Sequence, residues 1–256
     1  MNPPILLVYG GGKFGTMVFQ KFHSTHRLLI IDKDRECAAA QLPIPKIIEK
    51  NLKVQTAQIM QTKDSCFILG DIETVVYLLD KISIDFLIPV APIHIMKEIL
   101  VSHFNQQFPS LLISEDVELA LPSDLIPPEL QIFSNSPQTL YLSYAKWEER
   151  CPDNCPGPTG YCRIHKRLKP ISVTDLCNTA WPGPFTFIFE SWQLSPGIGG
   201  IPISSIQKHF NRLKHAGTEI INSFSELNVS NRTIIIGTTC NCHGVVSAIK
   251  ISNKKN

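Results

Sequence analysis

Residues 5–32 read ILLVYGGGKFGTMVFQKFHSTHRLLIID. The apolar run Ile5–Tyr9 stops on three glycines, and Lys13–His23 then repeats Phe14, Val18 and Phe22 at helical spacing. A second apolar run, Arg27–Asp32, ends on a carboxylate. Short continuous apolar runs bounded by turn residues fit strands buried on both faces, as in a parallel sheet covered by helices. Gly10, Gly12 and Gly15 match G-x-G-x-x-G, with the preceding strand and following helix that the motif's physics requires.

Each glycine in such a cradle has its own task. Gly10 makes the tight turn, Gly12 lets backbone approach a pyrophosphate, and Gly15 lets the helix lie close on the strand. Lys13 and Phe14 open the helix, whose N-terminal N–H groups and partial positive charge suit phosphate. Asp32 is placed to accept hydrogen bonds from ribose hydroxyls. That favours NAD(H) over NADP(H), whose 2′-phosphate a carboxylate would repel.

The alternation continues outward. Cys66–Leu69, Phe86–Ala91 and Leu111–Ser114 read as strands, and Ile72–Lys81 and His94–Phe104 as helices. Between them, IPKIIEKNLKVQTAQIM (44–60) holds a helix and an edge strand. Strands alternating with helices predict a parallel α/β sheet. The prolines of LPSDLIPPE (121–129) read as a linker. The predicted organisation is a Rossmann-type nucleotide-binding domain over residues 1–121 and a smaller cysteine-rich α+β metal-binding domain over 130–256. In the latter, Ser204–Ala216 reads as an amphipathic helix with Gly217 at its C′ position. Thr233–Ile236 and Val245–Ile251 read as closing strands, and KKN as a frayed tail.

ILLVYGGGKFGTMVFQKF (5–22), RLLIIDKD (27–34) and Gly70-Asp71 together resemble the NAD-binding Rossmann (TrkA-N-like) domains of potassium-uptake regulators. The resemblance covers about residues 1–110. It implies a Rossmann fold that binds NAD(H) or an adenine nucleotide through Gly10, Gly12, Gly15 and Asp32.

The second half carries different chemistry. CPDNCPGPTGYC (151–162) places Cys151, Cys155 and Cys162 in a loop broken by proline and glycine, and GTTCNCHG (237–244) adds Cys240, Cys242 and His243. The spacing is neither that of paired zinc-finger cysteines nor that of a ferredoxin run. A loop forced to turn at Gly157, Pro158 and Gly160 can still wrap three thiolates around one centre. The fourth ligand is Cys240 or Cys242, then Cys177, then His165 or His243. The centre is a [4Fe–4S] cluster or, alternatively, zinc. Cys37 and Cys66 lie in or near the Rossmann elements and read as core or near-surface thiols.

With 24 basic and 22 acidic residues the net charge is +2, which argues for neither nucleic-acid nor membrane partners. The start MNPPILLVYGG lacks a basic signal-peptide region, and stretches such as 86–95 are shorter than the ~20 residues of a membrane span. A soluble cytoplasmic protein is expected, its eight cysteines serving as thiols or ligands. A homodimer is compatible with this. Asn228 and Asn231 match the glycosylation pattern by chance on this view.

Smaller signals remain. His94, just past Phe86–Ala91, reads as an acid or base beside a nicotinamide, or as a surface histidine. PGIGGIP (196–202) reads as a turn packed on the metal loop, or as a second anion cradle. Lys208, His209, Arg212, Lys214 and His215 read as a solvated basic face. Trp147, Trp181 and Trp192 read as core of the cysteine region. The motifs together suggest an NAD(H)-linked redox protein with an iron–sulfur centre, an NAD-dependent oxidoreductase acting with a small-molecule or protein redox partner. The alternative is a non-catalytic nucleotide sensor with structural zinc.

Overall fold

The computed structural model describes residues 3–132, 136–226 and 231–254. Asn228 and the last two residues of the KKN tail lie outside the described residues. The protein is a mixed α/β chain with several sheets and, among the described residues, six α-helices. In chain order these are β1 (Ile5–Tyr9), α1 (Lys13–Phe22), β2 (Arg27–Asp32), β3 (Lys46–Ile47), α2 (Leu52–Gln61), β4 (Cys66–Leu69), α3 (Ile72–Lys81), β5 (Phe86–Pro89) and α4 (Ile95–Gln107). Then follow β6 (Leu111–Ser114), β7 (Gln131–Ile132), β8 (Thr139–Ser143), β9 (Tyr161–Cys162), β10 (Arg167–Leu168), α5 (Val173–Ala180), β11 (Thr186–Glu190) and β12 (Trp192–Ser195). The chain closes with β13 (Ile198–Pro202), α6 (Ile203–Glu226), β14 (Asn231–Thr239) and β15 (His243–Asn253).

Two compact units form, residues 1–102 with 198–204 and residues 103–197 with 205–256. In the first, the strand order is β13-β5-β1-β2-β4-β3, parallel except for β13 against β5. Leu6, Leu7, Val8 and Leu28–Ile31 are 0–1% exposed, so the continuous apolar runs are buried on both faces. Each such side chain contributes about 1.5–3 kcal/mol of apolar burial. The chain leaves β1 toward β2, then crosses to its other side to form β5, and β1 and β5 end side by side. Asp71 caps α3: its carboxylate accepts the Glu73 and Thr74 N–H groups, and the Thr74 hydroxyl reciprocates at the Asp71 N–H. PGIGGIP is no second anion cradle, because Ile198–Pro202 pairs with β5 as β13.

The second unit has a sheet in the order β11-β14-β15-β8-β7. β6 does not extend the parallel sheet; it pairs antiparallel with β15 from Leu112↔Ser252 to Ser114↔Lys250. A four-residue apolar run fits either environment, and its partner is decided far away in sequence. α5 packs Val173, Leu176, Cys177 and Trp181 with Leu142 and Val246 in a core of its own. Gly217 is not a cap, since α6 runs on past it to Glu226. The glycine is needed because a Cβ there would run into the Phe108 ring.

Two further surface readings change. His209 is 7% exposed and bonds the Ile188 carbonyl, while Arg212 donates to Thr186 O, so the basic face of α6 is partly turned inward. Of the three tryptophans only Trp181 is core, its indole N–H donating to Ala120 O; Trp147 is 74% and Trp192 54% exposed.

Candidate functional site

The glycine loop lies where β1 and β5 end. Gly10 has φ +118°, a conformation that glycine adopts without strain. Its N–H donates to Ile31 O, and a Cβ there would fall 2.7 Å from the Ala91 nitrogen. The Val90 and Ala91 N–H groups both donate to Tyr9 O at 3.0 Å, tying the two strand ends together. A Cβ on Gly15 would strike the Gly10 carbonyl oxygen, whereas one on Gly12 would meet nothing within 4 Å. One glycine serves the turn, one the helix–strand contact, and one faces open space. No side chain caps the N-terminus of α1. The Lys13 ammonium lies 5.5 Å from the ring centroid of Phe14, which is 40% exposed.

Asp32 already holds the loop. Its Oδ2 accepts the Gly11 N–H at 2.6 Å and its Oδ1 the Asp34 N–H at 2.9 Å. Each oxygen keeps a second lone pair. The segment after β2 also folds over the loop: Ala39 N–H donates to Gly11 O at 2.7 Å, and the Cys37 sulfur lies against Gly11. Nothing in the sequence signals that covering. His94 is not a surface histidine, being 8% exposed. Burial and then the Lys97 charge push its imidazole down to about 3, so it is neutral near pH 7 and poorly suited as a base.

The thiols are disposed in three ways. Cys66 and Cys177 are buried at 0% exposure, and burial raises them to about 11 and about 12. Cys177 therefore belongs to the α5 core. Cys37 stands at the glycine loop. The rest gather near the β9–β10 hairpin and the β14–β15 turn. Cys151 is raised by loss of solvation and then by the negative charge of Cys155, Cys162, Cys242 and Glu149.

Backbone donors reach these sulfurs: Gly157 N–H to Cys155 Sγ at 3.5 Å and His165 N–H to Cys162 Sγ at 3.4 Å. Gly197, whose backbone abuts Asp153, and Gln193 each donate to Cys155 O at 2.9 Å and fix the loop. His165 Nε2 lies 3.5 Å from Cys151 Sγ, and its Nδ1 3.6 Å from Glu149 Oε2. Arg167 binds Glu149 at 2.6 Å and also donates to Tyr144 O. The Tyr144 N–H in turn donates to Cys242 O. Lys169, 4% exposed, places its ammonium 2.9 Å from Cys242 Sγ.

Cys240 accepts the Cys242 N–H at 3.4 Å and has a partner of its own. Its sulfur lies 3.4 Å from His243 Nδ1. Burial opposes its ionisation, but the His243 hydrogen bond and charge, with the Cys242 and His243 N–H groups, outweigh this and hold it at about 7. Of the proposed fourth ligands, Cys242 is the one beside Cys151 and Cys155, and His165 stands behind Cys151. Among the described residues no group of three or more His, Cys, Asp or Glu is set at coordinating geometry. Sequence reading missed Glu149, Arg167 and Lys169, which are ordinary surface residue types until the hairpin places them.

Comparisons with known proteins change the kinship. The AF_1314 N-terminal domain model, described as "Uncharacterized protein, N-terminal domain", matches residues 5–95. Its C-terminal counterpart, "Uncharacterized protein, C-terminal domain", matches 96–252. An "Uncharacterized protein" of Archaeoglobus fulgidus is 28% identical over 246 residues, covering 95% of this chain and 98% of that relative. No solved structure matches the chain. The resemblance to potassium-uptake regulators is thereby overturned, since the N-terminal match is to this family and to no TrkA-N domain. A strand–glycine–helix turn obeys the same steric rules in unrelated chains, and Gly70-Asp71, part of that resemblance, is accounted for here as a helix cap. The chain belongs to the AF_1314 family, which matches it in both of its domains.

Proposed function

We propose that this protein binds NAD(H) in its first unit and carries a cysteine-ligated [4Fe–4S] centre in its second, acting in redox chemistry. The observation that carries the reading is the gathering of Cys151, Cys155, Cys162 and Cys242, with backbone N–H groups aimed at two of the sulfurs. Four thiolates are the donor set of such clusters, and N–H donors to sulfur tune them. Bound there, the cluster supplies one-electron transfer. The protein's part is to hold the thiolates, shape the loop through Gly197 and Gln193, and orient His165 through Glu149.

The nucleotide reading rests on separate features. The strand order around β1, with the glycine loop beside the ends of β1 and β5, supports a Rossmann-like reading, and such sheets take their ligands at this edge. Gly12 faces open space beside an uncapped helix start, which suits a pyrophosphate. A ribose would use the remaining lone pairs of Asp32, and His94 could offer only a neutral hydrogen-bonding edge. A hydride carries two electrons and a cluster takes one, so the two sites are assigned separate roles.

The same four thiolates also suit zinc. The β9–β10 hairpin that carries Cys162 favours that second reading, a nucleotide sensor with a structural metal. Anaerobic purification decides. Near-equal iron and acid-labile sulfide with a brown chromophore is the expected result. A colourless protein holding one zinc would overturn the cluster, and failure of NADH to bind in calorimetry would overturn the nucleotide.

A further inference from the structure

We infer that Tyr9 is a nucleotide-binding residue, its hydroxyl donating a hydrogen bond to the adenosine half of the dinucleotide, a role that rests on the nucleotide reading above. Tyr9 ends β1 inside the first sheet, opposite Ile31 of β2 and Pro89 of β5. Its carbonyl oxygen accepts the Val90 and Ala91 N–H groups, which fixes the backbone there. The residue is 7% exposed. Among the described residues no group bonds its hydroxyl, whereas the similarly buried Tyr144 donates to Ile171 O at 2.8 Å.

Packing alone does not call for a phenol at this position. The rest of β1 buries the aliphatic Leu6, Leu7 and Val8, and Phe would fill the same space with no polar atom to satisfy. A buried hydroxyl without a partner costs free energy. The oxygen is not sealed in, unlike Gln55 Oε1 and Arg232 Nε, the fully buried side-chain atoms left unpaired among the described residues. It reaches the open edge of the sheet, where a bound molecule can supply the missing acceptor.

The surrounding charges select the part of the nucleotide. Asp71 caps α3, Asp32 ends β2 and Glu98 lies in the first turn of α4, all at the carboxyl ends of the parallel strands. Loss of solvation, then Asp71, Asp32 and Glu98 in that order, push the phenol above its usual value, so it stays protonated near pH 7 and donates. None of the three carboxylates accepts from it. Asp71 holds the start of α3, Asp32 holds Gly11 and Asp34, and Glu98 meets Lys97 at 3.1 Å. A phosphate would be repelled here, so the acceptor is uncharged, a ribose oxygen or a base nitrogen. Asp71 and Asp32 follow the neighbouring strands β4 and β2, on the side where Asp32 would hold the adenosine ribose.

The test is calorimetric titration of the full-length protein with NADH and with ADP-ribose, which lacks the nicotinamide. Tyr9→Phe should bind both roughly 3–20-fold more weakly, the loss of one hydrogen bond. Without ligand the variant should melt no lower than the wild type, because the hydroxyl has no protein partner to lose. Weaker binding at full stability is a pattern that a merely structural tyrosine would not give. Wild-type affinity in Tyr9→Phe, a loss confined to NADH, or a lower melting temperature overturns the role of Tyr9 while leaving the nucleotide site standing. A wild-type chain that binds neither ligand refutes the nucleotide reading, and the role of Tyr9 with it.

Discussion

The carbonyl oxygen of Gly10 occupies the space that a side chain on Gly15 would need. β1 and α1 are thus in backbone contact, which fixes the helix start above the strand ends. Gly15→Ala should destabilise the protein by about 1–3 kcal/mol, the range for overpacking a closed site. Helix propensity alone would predict a gain of up to ~1 kcal/mol. Urea unfolding distinguishes the two signs, and a more stable variant would show that the contact relaxes freely.

Gly12 provides the opposite case. A Cβ there meets nothing within 4 Å, so Gly12→Val should leave the melting temperature close to wild type. It should nevertheless abolish NADH binding, because its branched side chain fills the space proposed for the pyrophosphate. Calorimetric titration of a folded Gly12→Val protein checks this. Unchanged affinity would remove the nucleotide from the glycine loop.

The first unit was legible because its strands are buried on both faces and punctuated by glycine. Ile5–Tyr9, Arg27–Asp32, Cys66–Leu69 and Ile72–Lys81 stand as the pattern predicts. Apolar runs of that kind leave little freedom once helices separate them. The partner of Leu111–Ser114 was not legible, because strand pairing is a long-range choice, settled by β15 more than a hundred residues later. Gly217 misled for a related reason: a glycine after an amphipathic run signals a cap, while here the Phe108 ring demands it inside the helix. At the thiols, Cys151, Cys155 and Cys162 were visible as a loop. That Cys242 meets Lys169 while Cys240 meets His243 depends on how a turn presents two nearby sulfurs, and local sequence does not encode that.

The disposition of the eight cysteines gives a direct contrast. Cys242→Ser should lower bound metal several-fold, since a hydroxyl would replace one thiolate of the proposed centre. Cys177→Ser should leave metal content unchanged and instead cost about 1–3 kcal/mol, from placing a hydroxyl in the apolar core of α5. Metal analysis beside thermal unfolding of both variants checks the pair. Loss of metal in the Cys177 variant at full fold would put that thiol back among the ligands.

Two buried histidines contribute to the acid side of the stability profile. His209 is pushed down to about 4, by burial first and then by Arg212, while His94 falls to about 3. Both are depressed below the ordinary histidine value of about 6.5, so the unfolded chain binds protons that the folded one refuses. Stability is therefore fully present above pH ~6.5 and declines as the pH falls toward the folded values, by up to about 1.4 kcal/mol per pH unit for each histidine. His209→Gln retains a donor for the Ile188 carbonyl at the position of Nε2 but cannot titrate. Its unfolding free energy should fall less steeply between pH 6.5 and 4.5, by one proton's worth of slope. Chemical denaturation at matched ionic strength measures the difference, and an unchanged slope would mean that His209 is protonated inside the fold.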